Sequence, residues 1–171
     1  MKYFPLLYRL HVTDRYLIWI SNEPDSVAVD AGEFVPTFEN PVCLRQYANL
    51  HDYTLESEEP LLHDLSWITA WRLTPDLQVD CQKALAAWNL FGDIAVSAPS
   101  RGIAFVKLKS DRFEIYDKLF WGNNLPTVTP ERERYIPEWS PDELRSLDLI
   151  LTCGRDLFVS CTYSWRTAPS S

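Results

Sequence analysis

The sequence predicts an α+β fold, with a small N-terminal antiparallel sheet packed against a predominantly helical body. Three observations carry this. Residues 6–38 are dense in aromatic and β-branched side chains, arranged in short runs between turn residues. From Asn40 onward apolar residues recur at intervals of three and four rather than two. The chain has 171 residues and is 46% hydrophobic, enough for one domain with a sizeable core and too apolar for a disordered chain. A single domain over residues 1–171 follows, with a polar tail that frays from about residue 163.

Leu6 to Val12 alternates, with Tyr8, Leu10 and Val12 on one face and Arg9 and His11 on the other. Tyr16 to Ile20 is a second strand-like run, and Thr13-Asp14-Arg15 between them reads as the turn of a hairpin. Asn22-Glu23-Pro24-Asp25 is a further turn. Val27–Val29 and Glu33–Phe38 read as short strands around Ala31-Gly32. Pro36 places the last at a sheet edge, because it has no N–H to donate. Asn40-Pro41 opens a helix, with an Asn cap followed by Pro at the first helical position. Leu44, Tyr47 and Ala48 share its apolar face, and His51-Asp52 ends it.

Glu56 to Pro60 is an acidic linker, and Leu61 to Trp71 is weakly helical. The clearest period lies in Asp80 to Val96, where Cys81, Ala84, Leu85, Trp88, Phe91 and Ala95 form a helical stripe. Pro99-Ser100 ends it. Ile103 to Leu108 alternates like a strand. Phe113 to Trp121 fits either strand or helix, with Gly122 as a helix stop. Asn123 to Pro137 is a loop with three prolines, long for a passive connection. Ser140-Pro141-Asp142-Glu143 is a capping-box start. Leu144, Leu147, Leu151, Gly154, Phe158 and Cys161 then repeat at three and four. Gly154 either allows close packing or breaks this helix.

Charge is distributed unevenly. Between Ser21 and Asp80 there are twelve Asp and Glu against two Arg and no Lys, a formal −10 in a chain of net −8. A one-sided field attracts cationic partners and repels nucleic acid. The two small basic clusters, Lys107/Lys109/Arg112 and Arg132/Arg134, make no phosphate-tracking stripe and read as ordinary surface charge. The candidate partner-binding residues are therefore acidic: Glu23, Asp25, Asp30, Glu33, Glu39, Asp52, Glu56, Glu58, Glu59 and Asp64.

Signatures for chemistry are sparse. There is no Cys-x-x-Cys and no His-x-x-x-His, so no metal site and no cofactor is expected. With five Gly in all, the chain offers neither a phosphate-binding loop nor a nucleophile elbow. Cys153 beside Arg155 has no His near it in sequence and reads as structural. Cys43, Cys81, Cys153 and Cys161 are expected to be free thiols. The Tyr16/Trp19 hairpin and the Trp67/Trp71 pair read as core. No run reaches a membrane span and the N-terminus does not read as a signal peptide, which points to the cytoplasm.

Two segments resemble a known family. They are residues 80–95 (Asp-Cys-Gln-Lys-Ala-Leu-Ala-Ala-Trp-Asn-Leu-Phe-Gly-Asp-Ile-Ala) and 116–129 (Tyr-Asp-Lys-Leu-Phe-Trp-Gly-Asn-Asn-Leu-Pro-Thr-Val-Thr), the latter followed by Trp139-Ser-Pro-Asp-Glu-Leu144 and a terminal helix. The combination resembles bacterial immunity proteins of toxin–immunity systems, including contact-dependent growth inhibition. The resemblance implies a cytoplasmic non-enzyme that binds a cognate toxin C-terminal domain, often a nuclease, and occludes its active site or substrate channel. Trp88, Asn89, Phe120, Trp121 and Asn124 would belong to the shared scaffold. A nuclease must be basic to hold a phosphate backbone, so an acidic surface is complementary to it. Two other classes stay open: a small enzyme working with a carboxylate pair, and a non-inhibitory protein-interaction domain.

Overall fold

A computed structural model describes residues 1–71, 78–126 and 134–166. Strands β1 (Lys2–Leu10) and β2 (Thr13–Ser21) form the hairpin, in register from Lys2↔Ser21 to Leu10↔Thr13. That register leaves His11 and Val12 as the loop, so the turn lies two residues before the predicted Thr13-Asp14-Arg15. His11 adopts a φ of 60°, the left-handed start common in two-residue hairpin loops. Asp14 instead joins the ladder and binds the Arg9 guanidinium.

Strand β3 (Ser26–Val27) extends the sheet beyond β2. The predicted Asn22–Asp25 turn precedes it, with the Asn22 N–H donating to the Asp25 carboxylate. Strand β4 (Val35–Thr37) lies apart from this sheet, across the Ala31-Gly32 turn. Helix α1 (Pro41–Leu50) starts as predicted, the Asn40 side chain accepting from Val42 and Cys43, and buries Leu44, Tyr47 and Ala48.

Leu61 to Trp71 departs from the helical expectation. Its first half is strand β5 (Leu62–Asp64), parallel to β1 on that strand's free edge. Only Trp67–Trp71 is helical (α2). The edge of β1 offers backbone partners that a weak helix propensity cannot match: the Leu65 N–H donates to the Arg9 carbonyl. The first sheet therefore runs β3-β2-β1-β5 and is mixed rather than wholly antiparallel.

Helix α3 (Cys81–Ser97) is capped by Asp80 and buries ten residues, among them Trp88, Phe91 and Ile94. Helix α4 (Pro99–Ser110) replaces the strand expected at Ile103–Leu108. The alternation there was local: Ile103 and Val106 face solvent, and only Gly102 and Phe105 of α4 are buried. Pro99 thus begins a helix instead of simply ending one. Gly102 lies against the Ala95 backbone, where an added Cβ would stand 2.6 Å from the Ala95 Cα.

Helix α5 (Phe113–Gly122) settles the ambiguous segment, burying Ile115 and Leu119. Gly122 is its last residue, and the left-handed residue beyond it is Asn124, with a φ of 49°. In the loop that follows, the Asn124 side chain exchanges two hydrogen bonds with the Tyr135 backbone; residues 127–133 of this loop lie outside the described residues. Helix α6 (Pro141–Cys161) has the predicted capping box of Ser140 and Glu143. Gly154 does not break it. A Cβ there would come within 2.1 Å of the Phe91 ring, so the glycine permits the α3–α6 contact.

The tail does not fray at residue 163. Thr162–Ser164 forms β6, parallel to β4, and Trp165 packs on Phe38 and Tyr47. Residues 167–171 lie outside the described residues. The main core joins the sheet to α2–α6. A second core gathers Ile18, Ala28, Phe38, Leu44, Tyr47 and Ala48 between β2 and α1.

Candidate functional site

A cleft of about 1140 Å³ opens between the sheet and helices α3 and α5. Phe4 and Leu6 of β1 and Trp19 of β2 form one wall. Residues along α3, from Gln82 to Val96, form the floor, and Phe113, Tyr116 and Phe120 of α5 form the opposite wall. Its rings contact one another. Phe4 and Trp19 have centroids 5.6 Å apart, and Trp88 meets Tyr116 edge-on at 5.6 Å. The Tyr116 hydroxyl donates to the Asn89 side chain. A large aromatic surface with a few polar groups is the usual make-up of a binding site.

Four carboxylates border this cleft: Asp25, Glu58, Glu59 and Asp93. Asp93 is fixed in place. Its Oδ2 accepts from the Trp19 indole N–H at 2.9 Å. Its backbone carbonyl accepts from Ser97 Oγ, which in turn accepts from the Val27 N–H, tying the end of α3 to β3. Burial pushes the Asp93 carboxyl above its ordinary value; the Trp19 bond opposes the rise, nearby Asp25 adds to it, and Lys109 opposes it. His63 lies on the same wall. Its Nδ1 is buried and without a hydrogen-bond partner among the described residues, and burial holds its pKa down.

The ten predicted acids are not one patch. Asp25, Glu58 and Glu59 converge on the cleft. Three others are engaged in folding. Asp30 accepts from the Gly32 and Phe34 N–H groups and shapes the turn before β4. Glu33 reaches the start of α4, accepting from the Ser100 N–H and hydroxyl. Because the Ala98 cap has no side-chain oxygen to offer, Glu33 supplies the missing cap from 67 residues away. Asp64 accepts from Ser66. Glu39 lies 3.8 Å from Arg15, and Glu56 3.7 Å from Lys2. Glu23 and Asp52 are exposed and line no part of the cleft.

Sequence reasoning missed Asp93 and Lys109. Asp93 lies outside the acidic segment, yet it left a signal: it is the one charge inside the otherwise apolar stretch Leu90 to Val96. Lys109, ordinary surface charge on its sequence context, is half-buried and lines the cleft. Trp19 packs against the main core as expected, and it also lines the cleft. Of the residues the family resemblance placed in a scaffold, Trp88, Asn89 and Phe120 also line the cleft. Trp121 is exposed, and Asn124 clamps Tyr135.

All four cysteines are free. Burial and the neighbouring Asp156 push the Cys153 thiol up, opposite to what a nucleophile needs. Among the described residues, no three His, Cys, Asp or Glu converge as metal ligands, and no helix is long and apolar enough to cross a membrane. No protein-family model matches this chain, and no curated protein or solved structure does.

Proposed function

We propose that the protein is a binding protein that receives a basic segment of a protein partner in the acidic, aromatic cleft, and that it acts as the immunity inhibitor of a cognate basic toxin domain, with a nuclease as the expected target. The observation that carries the reading is the coincidence of Asp25, Glu58, Glu59 and Asp93 with the aromatic walls of one cleft. The carboxylates provide the complementary field that speeds encounter. The rings provide stacking surface for guanidinium groups and apolar anchors that slow dissociation.

The test is stopped-flow association with a basic toxin domain that the protein captures in a pull-down, at several salt concentrations. The paired substitution Glu58→Lys and Glu59→Lys should slow association by about tenfold or more at low salt, the scale on which electrostatic steering acts, with a smaller effect at high salt. An association rate indifferent to both salt and charge reversal would remove the cleft from the interface.

A second reading rests on Asp93 itself. A carboxyl raised by burial beside a second carboxylate is the pattern of an acid–base pair in hydrolases. Under that reading Asp93→Asn abolishes a turnover that Glu58→Lys leaves intact. Under the inhibitor reading both substitutions weaken partner binding.

A further inference from the structure

The acidic cleft already contains a cation. Lys109, at the end of α4, places its ammonium 3.5 Å from the point where a Cβ on Gly92 would stand. The ammonium thus lies over the backbone of α3 at Gly92, one residue from Asp93. The ammonium makes no ion pair within 4 Å among the described residues. It is nevertheless near enough to act electrostatically on the Asp93 carboxyl. Asp93 is correspondingly half-engaged: Trp19 holds Oδ2, and no hydrogen bond among the described residues holds Oδ1.

A half-buried lysine without a direct carboxylate partner gains little from its position. Its long stem gives the ammonium a path out of the cleft toward solvent. An arginine differs. Its planar guanidinium can stack on the Trp19 or Phe4 ring while donating to Oδ1. We propose that Lys109 is a built-in surrogate cation: it partly neutralises the Asp93 end of the cleft in the free protein and is displaced when an arginine side chain of the basic partner enters. This rests on the reading of the cleft as a site for a basic segment. Its consequence is specificity. A partner cation must bind better than the resident one, so a loosely held cation is rejected.

The probe is a hexa-arginine amide peptide, titrated into the full chain by calorimetry and by tryptophan fluorescence at low salt. Removing the competitor with Lys109→Met should tighten binding by about tenfold, the equivalent of about 1.4 kcal/mol. Asp93→Asn should weaken it by at least as much, and hexa-lysine should bind less tightly than hexa-arginine. Asp52→Asn, outside the cleft, should change nothing.

If Asp93→Asn weakens binding while Lys109→Met matches the unsubstituted chain, the basic-segment reading stands and the displacement is wrong. Weaker binding by Lys109→Met would make the lysine a ligand group and overturn the proposal equally. If Asp52→Asn weakens binding as much as Asp93→Asn, or if no form of the protein binds the peptide, both ideas fall. Near-ultraviolet circular dichroism of each variant separates lost binding from lost fold.

Discussion

Gly154 and Gly92 show how much one methyl group decides. Both are buried in long helices, where alanine is intrinsically favoured by about 1 kcal/mol. At Gly154 the added Cβ meets the Phe91 ring, itself fully buried. Gly154→Ala should therefore lower stability by about 1–3 kcal/mol, the usual cost of overpacking. At Gly92 the nearest atom is the flexible Lys109 ammonium at 3.5 Å, so Gly92→Ala should be neutral or stabilising. Urea unfolding of the two variants checks the pair, and equal effects would contradict the close approach at Gly154. Asp93 is the residue-scale counterpart in charge. Its folded-state pKa lies above the value of 3.8 expected for an exposed Asp. A raised carboxyl favours folding while protonated, and that contribution is lost as pH rises through the folded pKa. The ionised carboxylate is thus a burden at pH 7, of the kind functional sites carry. Asp93→Asn keeps the acceptor for Trp19 and removes the charge. It should raise the urea midpoint at pH 7, with the gain shrinking near pH 3, where the carboxyl is protonated in both states. A gain that grows toward acid would contradict this.

Among the elements, β6 was the least visible in the sequence. Thr162-Tyr163-Ser164 has little strand character of its own, and a polar tail with a proline reads as frayed. Its order comes from partners far away: β4 supplies the ladder, Thr37 donates to the Tyr163 carbonyl, and the Trp165 N–H donates to the Thr37 carbonyl. Phe38 and Tyr47 receive the Trp165 ring edge-on. Trp165→Ala should cost about 2 kcal/mol, since the ring is only partly buried and a large apolar side chain contributes about 1.5–3 when fully buried. A loss below about 0.5 kcal/mol in urea unfolding, within the range of ordinary surface changes, would mean that the tail adds nothing to the second core. The same logic explains β5. Elements whose order is set within one segment could be read directly: the Asn40 cap, the α3 stripe and the Ser140 capping box. Elements defined by a distant edge could not. The α4 error was of another kind, since two turns of helix with mostly exposed apolar residues mimic a period of two.

At the level of the whole molecule, the acidic segment divides by role, with Glu23 and Asp52 simply exposed. One group serves the fold, through turns, a distant helix cap and ion pairs. Another, Glu58 and Glu59 with Asp25, meets Asp93 of α3 at the cleft. Composition could show that the charge was concentrated between Ser21 and Asp80. It could not show that a residue beyond that segment completes the cleft, because the apposition of α3 to the hairpin is a tertiary fact. Nor could it show that the aromatic residues of β1, β2, α3 and α5 share one cavity. The α+β architecture was legible because strand-like runs dominate residues 6–38 and helical periodicity dominates from Asn40 onward.

The pairing of β4 with β6 carries a consequence for biosynthesis. Residues 35–37 wait for residues 162–164, so on the ribosome the hairpin and α1 emerge long before the strand that finishes their side of the molecule. Contacts of such long sequence separation form late and slowly. During translation Phe38 and Tyr47 lack the Trp165 lid, and the nascent chain presents an apolar face that closes only once residues 162–165 have left the exit tunnel.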